Sequence, residues 1–516
     1  YRKLVEAVRS LRIELVLSKR EIMRYYLNRV PMGNNLMGVE SAARLYFGKP
    51  ADQLTEGQAA LLAALTRAPG TLNPYGPHRE RLVRRQQLVL QRLAQQGLIS
   101  PGELAAASAE PVGLQPIRGR IPRFPFEAPH LVNLVLSNLP PATAGGVIKT
   151  TLDLNLQRQA AAAVASHRVE LLKSGASQAA AVIVDNRSMG LLALVGSMQY
   201  GPLNGGFNNG ALAQRSPGSA LKPFLYAQAL DLGFTPASIL EDVERRYQTP
   251  GGEFSPVNFD RFPYGPVPFR EALANSLNLS AVSLLNLIEP GNYYDILRRL
   301  NLINHPEQGP EHYGLGLVVG NPEVNLLQLA TAFACLANGG VYQPLRLRMD
   351  EPAASPVRLF SPQAAYIIGD ILADPMARFR IFGASTAMNP PYHLAIKTGT
   401  STRYRDVWAV GYTPEYTLAV WVGNFDGRAT LNLSGAAAAA PIVADLAAVL
   451  FRGNPPRNFL QPEGVTSALV CSFSGLAPGP DCPHVRRELF IAGTEPTRVC
   501  TYHHHREPWH RIPTPF

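Results

Sequence analysis

The sequence predicts a multidomain α+β protein: a helical N-terminal lobe, a connector, an antiparallel sheet flanked by helices, and a short tail. Three observations carry this. Apolar residues recur at helical spacing from residue 1 to about residue 110. A run of prolines from Pro101 to Pro141 then breaks regular structure. Beyond it, Ala179 to Asp185 and Gly190 to Gly196 read as two strands around an Asn186-Arg187-Ser188 turn, and three more strands follow late in the chain. The boundaries expected are 1–110 for the lobe, 111–177 for the linker, 178–450 for the sheet domain and 451–516 for the tail.

In the lobe, Leu4, Val5, Val8, Leu11 and Leu15 pattern one helix, with basic residues between them. Lys19 to Leu27, Glu40 to Phe47, Thr55 to Leu65 and Glu80 to Gln95 pattern further helices. Thr55 followed by Gln58 is a helix N-cap signal. Val147 to Leu154 alternates like a strand, and an alanine-rich helix is expected over Leu156 to His167. A helix should run from Ser219 to Leu232, then a Pro/Gly-rich loop from Pro236 to Arg270, then a helix pair in EALANSLNLSAVSLLNLI. Glu323 to Asn338 patterns a helix that stops at Gly339-Gly340. His393 to Thr400, Val407 to Tyr412 and Tyr416 to Val422 complete the sheet, and a short helix is expected at Asp445 to Leu450.

The chemistry centres on RSPGSALKPF, Arg215 to Phe224. Ser219 and Lys222 are three positions apart, so a helical turn stacks hydroxyl and amine on one face. A serine hydroxyl holds its proton far above neutral pH. An amine kept neutral by desolvation or by a like charge can take that proton. Alone the pattern is weak, arising by chance about once in a few hundred positions, and it also describes a capped helix with an exposed lysine. Ser276-Leu277-Asn278 and then Lys397-Thr398-Gly399-Thr400 follow in order, and the second triplet is rare by chance, roughly once in several thousand positions.

Ser-x-x-Lys, Ser-x-Asn and Lys-Thr-Gly in that order resemble the penicillin-binding proteins and serine β-lactamases. The resemblance implies the penicillin-recognising serine transpeptidase fold and attack on the D-Ala-D-Ala end of a stem peptide. It makes Ser219 the nucleophile and Lys222 its base. Ser276 relays a proton to the leaving amine, and Asn278 holds the substrate amide and Lys222. Lys397 draws the substrate carboxylate and depresses the Lys222 pKa, with Thr398 and Thr400 as hydroxyl donors around Gly399. The backbone N–H groups of Ser219 and Thr400 would form the oxyanion hole. No cofactor is implied for transpeptidation. Hydrolysis of the acyl group, as in a carboxypeptidase or β-lactamase, and a non-catalytic β-lactam sensor are the alternative readings.

The lobe carries a second resemblance. RKLVEA at 2–7, SKREIMRYYLNRVPMGNNLMGVESAARLYFGKP at 18–50 and LTEGQAALLAALTRAPGTLNPY at 54–75 are similar to the last three motifs of glycosyltransferase family 51. That family polymerises glycan strands from lipid II, and a divalent metal is possible there. By resemblance Glu6 matches its second acidic residue, and Arg2 and Lys3 match the cations that face the donor pyrophosphate. The family's first two motifs and its membrane anchor are not in the sequence. The expectation is therefore a partial domain that, as written, does not polymerise glycan.

The 516 residues carry 48 Lys and Arg against 38 Asp and Glu, a net charge of +10 that suits an anionic partner. No nucleic-acid motif is present, and apolar runs such as Ala59 to Leu65 are far short of the ~20 residues that span a bilayer. Cys335 reads as a core position, whereas Cys471, Cys482 and Cys500 cluster in the tail with His484, His503, His504, His505 and His510. A disulfide between two of the three is expected in an oxidising compartment, the pair left open. The spacing matches no standard zinc finger, so no metal site is assigned. SGLAPGPDCPHVRRELFIAGTEPTRVC resembles the segment after the transpeptidase in the C subtype of bifunctional class A penicillin-binding proteins. These resemblances imply peptidoglycan stem peptides, lipid II, β-lactams and cell-wall synthesis proteins as partners. They also imply a location at the periplasmic face of the inner membrane.

Overall fold

The computed structural model describes residues 10, 13, 14, 17–33, 36–69, 71–76, 78–115, 127–139, 147–201, 203–249 and 252–503. Arg2, Lys3 and Glu6 lie outside the described residues, as do His504, His505 and His510. The chain divides into two compact units, Tyr1–Phe126 with Asn138–Val147, and Glu127–Ser137 with Ile148–Phe516.

The first unit is helical: α1 Lys19–Arg29, α2 Val39–Phe47, α3 Glu56–Leu65, α4 Arg79–Gln95 and α5 Pro101–Ala109. Three helices start on a capping box, Ser18 with Glu21, Thr55 with Gln58 and Ser100 with Glu103. Each pair satisfies two backbone N–H groups that a helix start leaves open. The core gathers Met32, Ala42, Tyr46, Leu61, Leu62, Leu65 and Leu82. The buried Tyr46 hydroxyl donates to the Met32 carbonyl at 2.7 Å. α5 is a helix that proline-rich composition concealed, since Pro101 occupies its first turn, where a missing N–H costs nothing.

The second unit opens with α6 Pro129–Ser137, α7 Leu154–Ser166 and α8 Arg168–Lys173, then β1 Gln178–Asp185 and β2 Gly190–Val195. Next come α9 Lys222–Asp231, β3 Ile239–Asp242, β4 Tyr247–Thr249, β5 Gly252–Phe254 and β6 Gly265–Pro268. The helical group is α10 Phe269–Ala274, α11 Asn278–Ile288, α12 Pro290–Arg299, α13 Gly309–Tyr313 and α14 Leu326–Ala337. After β7 Val341–Tyr342, β8 Val357–Arg358, α15 Pro362–Ala373 and α16 Pro375–Phe382 come β9 Ala395–Thr400, β10 Asp406–Tyr412 and β11 Tyr416–Gly423. α17 Gly435–Leu450, β12 Val465–Cys471 and β13 Val485–Ile491 end the described chain.

Five strands form one antiparallel sheet in the order β2-β1-β11-β10-β9. Alternation along each strand feeds two cores, one per face. Ala180, Val182, Val184, Val410 and Ala419 meet the helical group that includes α9 and α14. Ala179, Ala181, Ile183, Ala409 and Val420 meet α7 and α17. Strands covered on both faces are apolar throughout, which is why they were legible as strands. Trp408 and Trp421 pair across β10 and β11, fully buried, and both indole N–H groups are bonded, to the Ser216 carbonyl and to Asp406.

Several sequence expectations are corrected. Residues 147–154 form no strand; Thr150 makes a single bridge to Arg348, and helix α7 begins at Leu154 on its Asp153 cap. The Pro236–Arg270 stretch is not all loop, because β3 pairs with β6 and β4 with β5. α17 is one helix from Gly435, with Pro441 inside it, rather than a short one from Asp445. The tail forms a hairpin, β12 against β13.

Candidate active site

The turn that carries Ser219 is built by close backbone approach. Gly218, at φ +54°, opens a 3-10 turn, Gly218–Leu221, that runs directly into α9. The sequence suggested an α-helix from Ser219. The 3-10 turn does more, because its three residues per turn eclipse positions i and i+3 and set Ser219 over Lys222. A Cβ on Gly218 would stand 2.4 Å from the Thr400 carbonyl oxygen, and one on Gly399 would stand 2.1 Å from that of Pro217. The glycine of the third motif is thus needed so that β9 can lie against the Ser219 turn. Ser216 Oγ donates to the Gly320 carbonyl at 2.7 Å and Arg215 exchanges backbone bonds with Val324, which pins the turn from behind.

Ser276 follows α10 in the left-handed region, φ 60°, a conformation that costs a residue with a Cβ about 1 kcal/mol or more. That bend points its carbonyl at Lys222 and its hydroxyl at Lys397. Lys222 Nζ donates to the Ser276 carbonyl at 2.6 Å, the Leu277 carbonyl at 3.0 Å and Asn278 Oδ1 at 2.7 Å. The Ser219 hydroxyl donates to the same Asn278 oxygen at 3.4 Å. Lys397 Nζ donates to Ser276 Oγ at 2.7 Å and to the Thr398 carbonyl at 2.8 Å. Thr400 Oγ1 accepts from the Gly435 N–H at 3.2 Å, which leaves its own proton for a ligand in the cleft.

Both amines are buried. Burial, then the like charge of Lys397, drives the Lys222 amine well below its ordinary value, partly opposed by Asp242. Burial alone pushes Lys397 down to about 7. Three acceptors around Lys222 Nζ suit an ammonium, whereas a proton acceptor needs a lone pair aimed at Ser219. The neutral amine must release one of these contacts.

The cleft has a volume of about 360 Å³ and is lined by Ser219, Ser276, Asn278, Thr398, Gly399 and Thr400 on its polar side, with Phe259, Ile381 and Phe382 as apolar wall. All eight residues predicted from the three motifs therefore meet here, Lys222 and Lys397 through their bonds to Ser276 and Asn278. Arg2, Lys3 and Glu6 lie outside the described residues.

Sequence reading missed the groups that hold the second motif. Leu277 sits at the N-cap of α11 and has no side chain able to cap it. Asn258 Oδ1 does so instead, accepting from the Asn278 and Leu279 N–H groups at 2.7 and 3.2 Å. Buried Asp242 accepts from the Ser280 N–H and hydroxyl, from Asn258 Nδ2 and from the Tyr264 N–H. Asn275 locks the turn from α10, donating to Ala377 and accepting from Ile381 N–H. A polar residue before a proline-rich stretch gives no signal of such a role.

Comparison with known proteins agrees with this geometry. The model of the penicillin binding protein transpeptidase domain matches residues 179–448, just over half of the chain. The transglycosylase model matches residues 1–94, and that of the penicillin-binding protein 1A C-terminal domain matches 461–505. Penicillin-binding protein 1C of Escherichia coli (strain K12) is 34% identical over 505 residues, covering 96% of this chain and 62% of the relative, so the chain spans about three fifths of that protein. Penicillin-binding protein 2D of Bacillus subtilis (strain 168) is 28% identical over 97% of this chain and 74% of the relative. Penicillin-binding protein 1A from Haemophilus influenzae shares the fold, with a TM-score of 0.69 at 21% identity over 94% of this chain and 92% of that one. With a transglycosylase match ahead of a transpeptidase domain whose three motifs close on one cleft, the chain belongs to the class A penicillin-binding proteins.

Proposed function

We propose that this chain is a peptidoglycan D,D-transpeptidase that works through a serine acyl-enzyme and is acylated by β-lactams. The observation that carries the reading is the convergence of Ser219 and the buried Lys222 on one oxygen of Asn278, with Lys397 bonded to Ser276 across the same cleft. Neutral Lys222 takes the Ser219 proton as Oγ bonds to the carbonyl carbon of the penultimate D-alanine. The oxyanion sits between the backbone N–H groups of Ser219 and Thr400. The C–N bond then breaks, and the leaving amine takes the Ser276 hydroxyl proton, which Lys222 restores. Lys397 and the Thr400 hydroxyl hold the terminal carboxylate, with Thr398 beside them. An amine of a second stem peptide attacks the ester and frees Ser219. The cleft's hydroxyls, amines and backbone N–H groups suffice for these steps, with no cofactor.

Lipid II is the proposed ligand of the N-terminal lobe, and a divalent metal is proposed only for glycosyl transfer, not for acyl transfer. A lipid II polymerisation assay tests that binding. An envelope location follows from the family, with the periplasmic face of the inner membrane and wall-synthesis proteins as the proposed setting. No described helix is long and apolar enough to cross a membrane.

Mass spectrometry after benzylpenicillin treatment should place one covalent adduct on Ser219. Incubation with peptidoglycan substrates should then yield cross-linked dimers. Adduct without dimers, but with released D-alanine, means hydrolysis; adduct with neither product means a sensor.

A further inference from the structure

The tail, not the cleft, holds a second chemical site. The expected disulfide is absent: Cys471, Cys482 and Cys500 are all free thiols. They converge instead with His503, the four ligand atoms lying within 4.8 Å of one another. His503 Nδ1 lies 3.7 Å from Cys471 Sγ and 3.6 Å from Cys500 Sγ. A tetrahedral zinc ion with ordinary bond lengths places sulfur and nitrogen ligands about 3.6 Å apart and two sulfurs about 3.8 Å apart. Three thiols cannot pair off in disulfides, and a fourth donor of imidazole type at ligand spacing has no purpose in one.

The backbone explains the convergence. Cys471 ends β12, and its N–H and carbonyl bond the Leu476 and Gly475 backbone in a tight turn. Gly479 N–H donates to Cys482 Sγ at 3.3 Å, the contact that stabilises a thiolate ligand. The Cys500 N–H donates to the Ala477 carbonyl, and Ala477 bridges Val499, bringing the last loop beside the first. The spacing eluded a finger pattern because the ligands come from two loops and a strand end.

We propose that Cys471, Cys482, Cys500 and His503 bind one structural zinc ion. The set is closed, with four protein donors and no position left for water, so the ion's work is to tie the loops to the β12–β13 hairpin. That hairpin is otherwise held by a small core: Val470 and Phe490 on Ala237, with the Gly475 turn so close that a Cβ there would meet the Ala237 carbonyl oxygen at 2.0 Å. Its β13 strand turns Glu488 toward α10, bonded to Arg270 at 2.6 Å. α10 leads into Ser276, so the zinc-tied hairpin braces the helix behind the second motif.

The test is metal analysis of the full chain purified without chelator or added reductant. About one zinc per chain is expected, falling at least fivefold in Cys482→Ser and His503→Ala and unchanged in Cys335→Ser, whose thiol is buried elsewhere. Exchange of cobalt(II) for zinc in the unmutated chain should give the intense visible bands of tetrahedral thiolate coordination, a readout that stands if a variant fails to fold. Less than a tenth of a zinc per chain with two tail thiols lost to a disulfide overturns the proposal. So does zinc retained in both ligand variants, or a cobalt spectrum without thiolate bands.

Discussion

Asp242 accepts two hydrogen bonds from Ser280, at 3.0 Å from the backbone N–H and 2.8 Å from the hydroxyl, and so caps the helix that carries Asn278 from a strand far upstream. Its other oxygen holds Asn258, which caps the two preceding N–H groups. The position of the second motif is thus set by a buried carboxylate that never faces substrate. Asp242→Ala should cost about 2–3 kcal/mol of stability, since several buried donors lose their acceptor, and should slow acylation about tenfold by loosening Asn278. Asp242→Asn keeps an acceptor for Ser280 and should recover much of the acylation rate. Thermal unfolding and penicillin acylation kinetics check both; a full acylation rate in a destabilised Asp242→Ala would separate capping from catalysis.

Lys222→Ala should slow acylation by about 10²–10⁴-fold, the range lost with a general base. The variant should remain folded, because the charge it removes is already disfavoured by burial. Stopped-time labelling with a fluorescent penicillin, alongside circular dichroism, measures both.

The two lysines predict a bell-shaped pH profile for the second-order acylation constant. Lys222 acts neutral; burial and the Lys397 charge lower its pKa, and activity falls on the acid side as pH drops through that lowered pKa. Lys397 acts charged, and its pKa near 7 makes activity fall as pH rises above it. Lys397→Arg keeps its charge at all these pH values, so the alkaline limb should vanish even if the rate is lower. An alkaline limb unchanged in Lys397→Arg would assign it to another group.

Gly399→Ala should abolish measurable acylation, because its Cβ would meet the Pro217 carbonyl at 2.1 Å and push β9 off the nucleophile turn. Gly102→Ala, in α5 with open space around the new Cβ, should be neutral or stabilise by about 0.5–1 kcal/mol. Thermal shifts of the two variants test whether the first loss is steric.

Glu488→Ala should destabilise by about 3–5 kcal/mol, since it leaves Arg270 buried with only Asp370 and Asp374 beside it. The readout is thermal unfolding. A loss below 1 kcal/mol would mean the remaining carboxylates already satisfy the guanidinium.

The sequence by itself determined the parts whose chemistry is local. Ser219, Lys222, Ser276, Asn278, Lys397 and Thr400 were legible because three short motifs in order resemble those of a known family, and the sheet because strands covered on both faces must be apolar. Thr55 and Gln58 were legible because a cap is complete within one turn. Only the tertiary structure decided what depends on distant chain segments. Asp242 and Asn258 cap a helix they do not adjoin, three cysteines and a histidine meet across loops, and Gly218 and Gly399 lie against residues far along the chain. Periodicity reports which face of an element is buried, but a polar residue's partner is chosen by where the backbone passes, and that is set by packing.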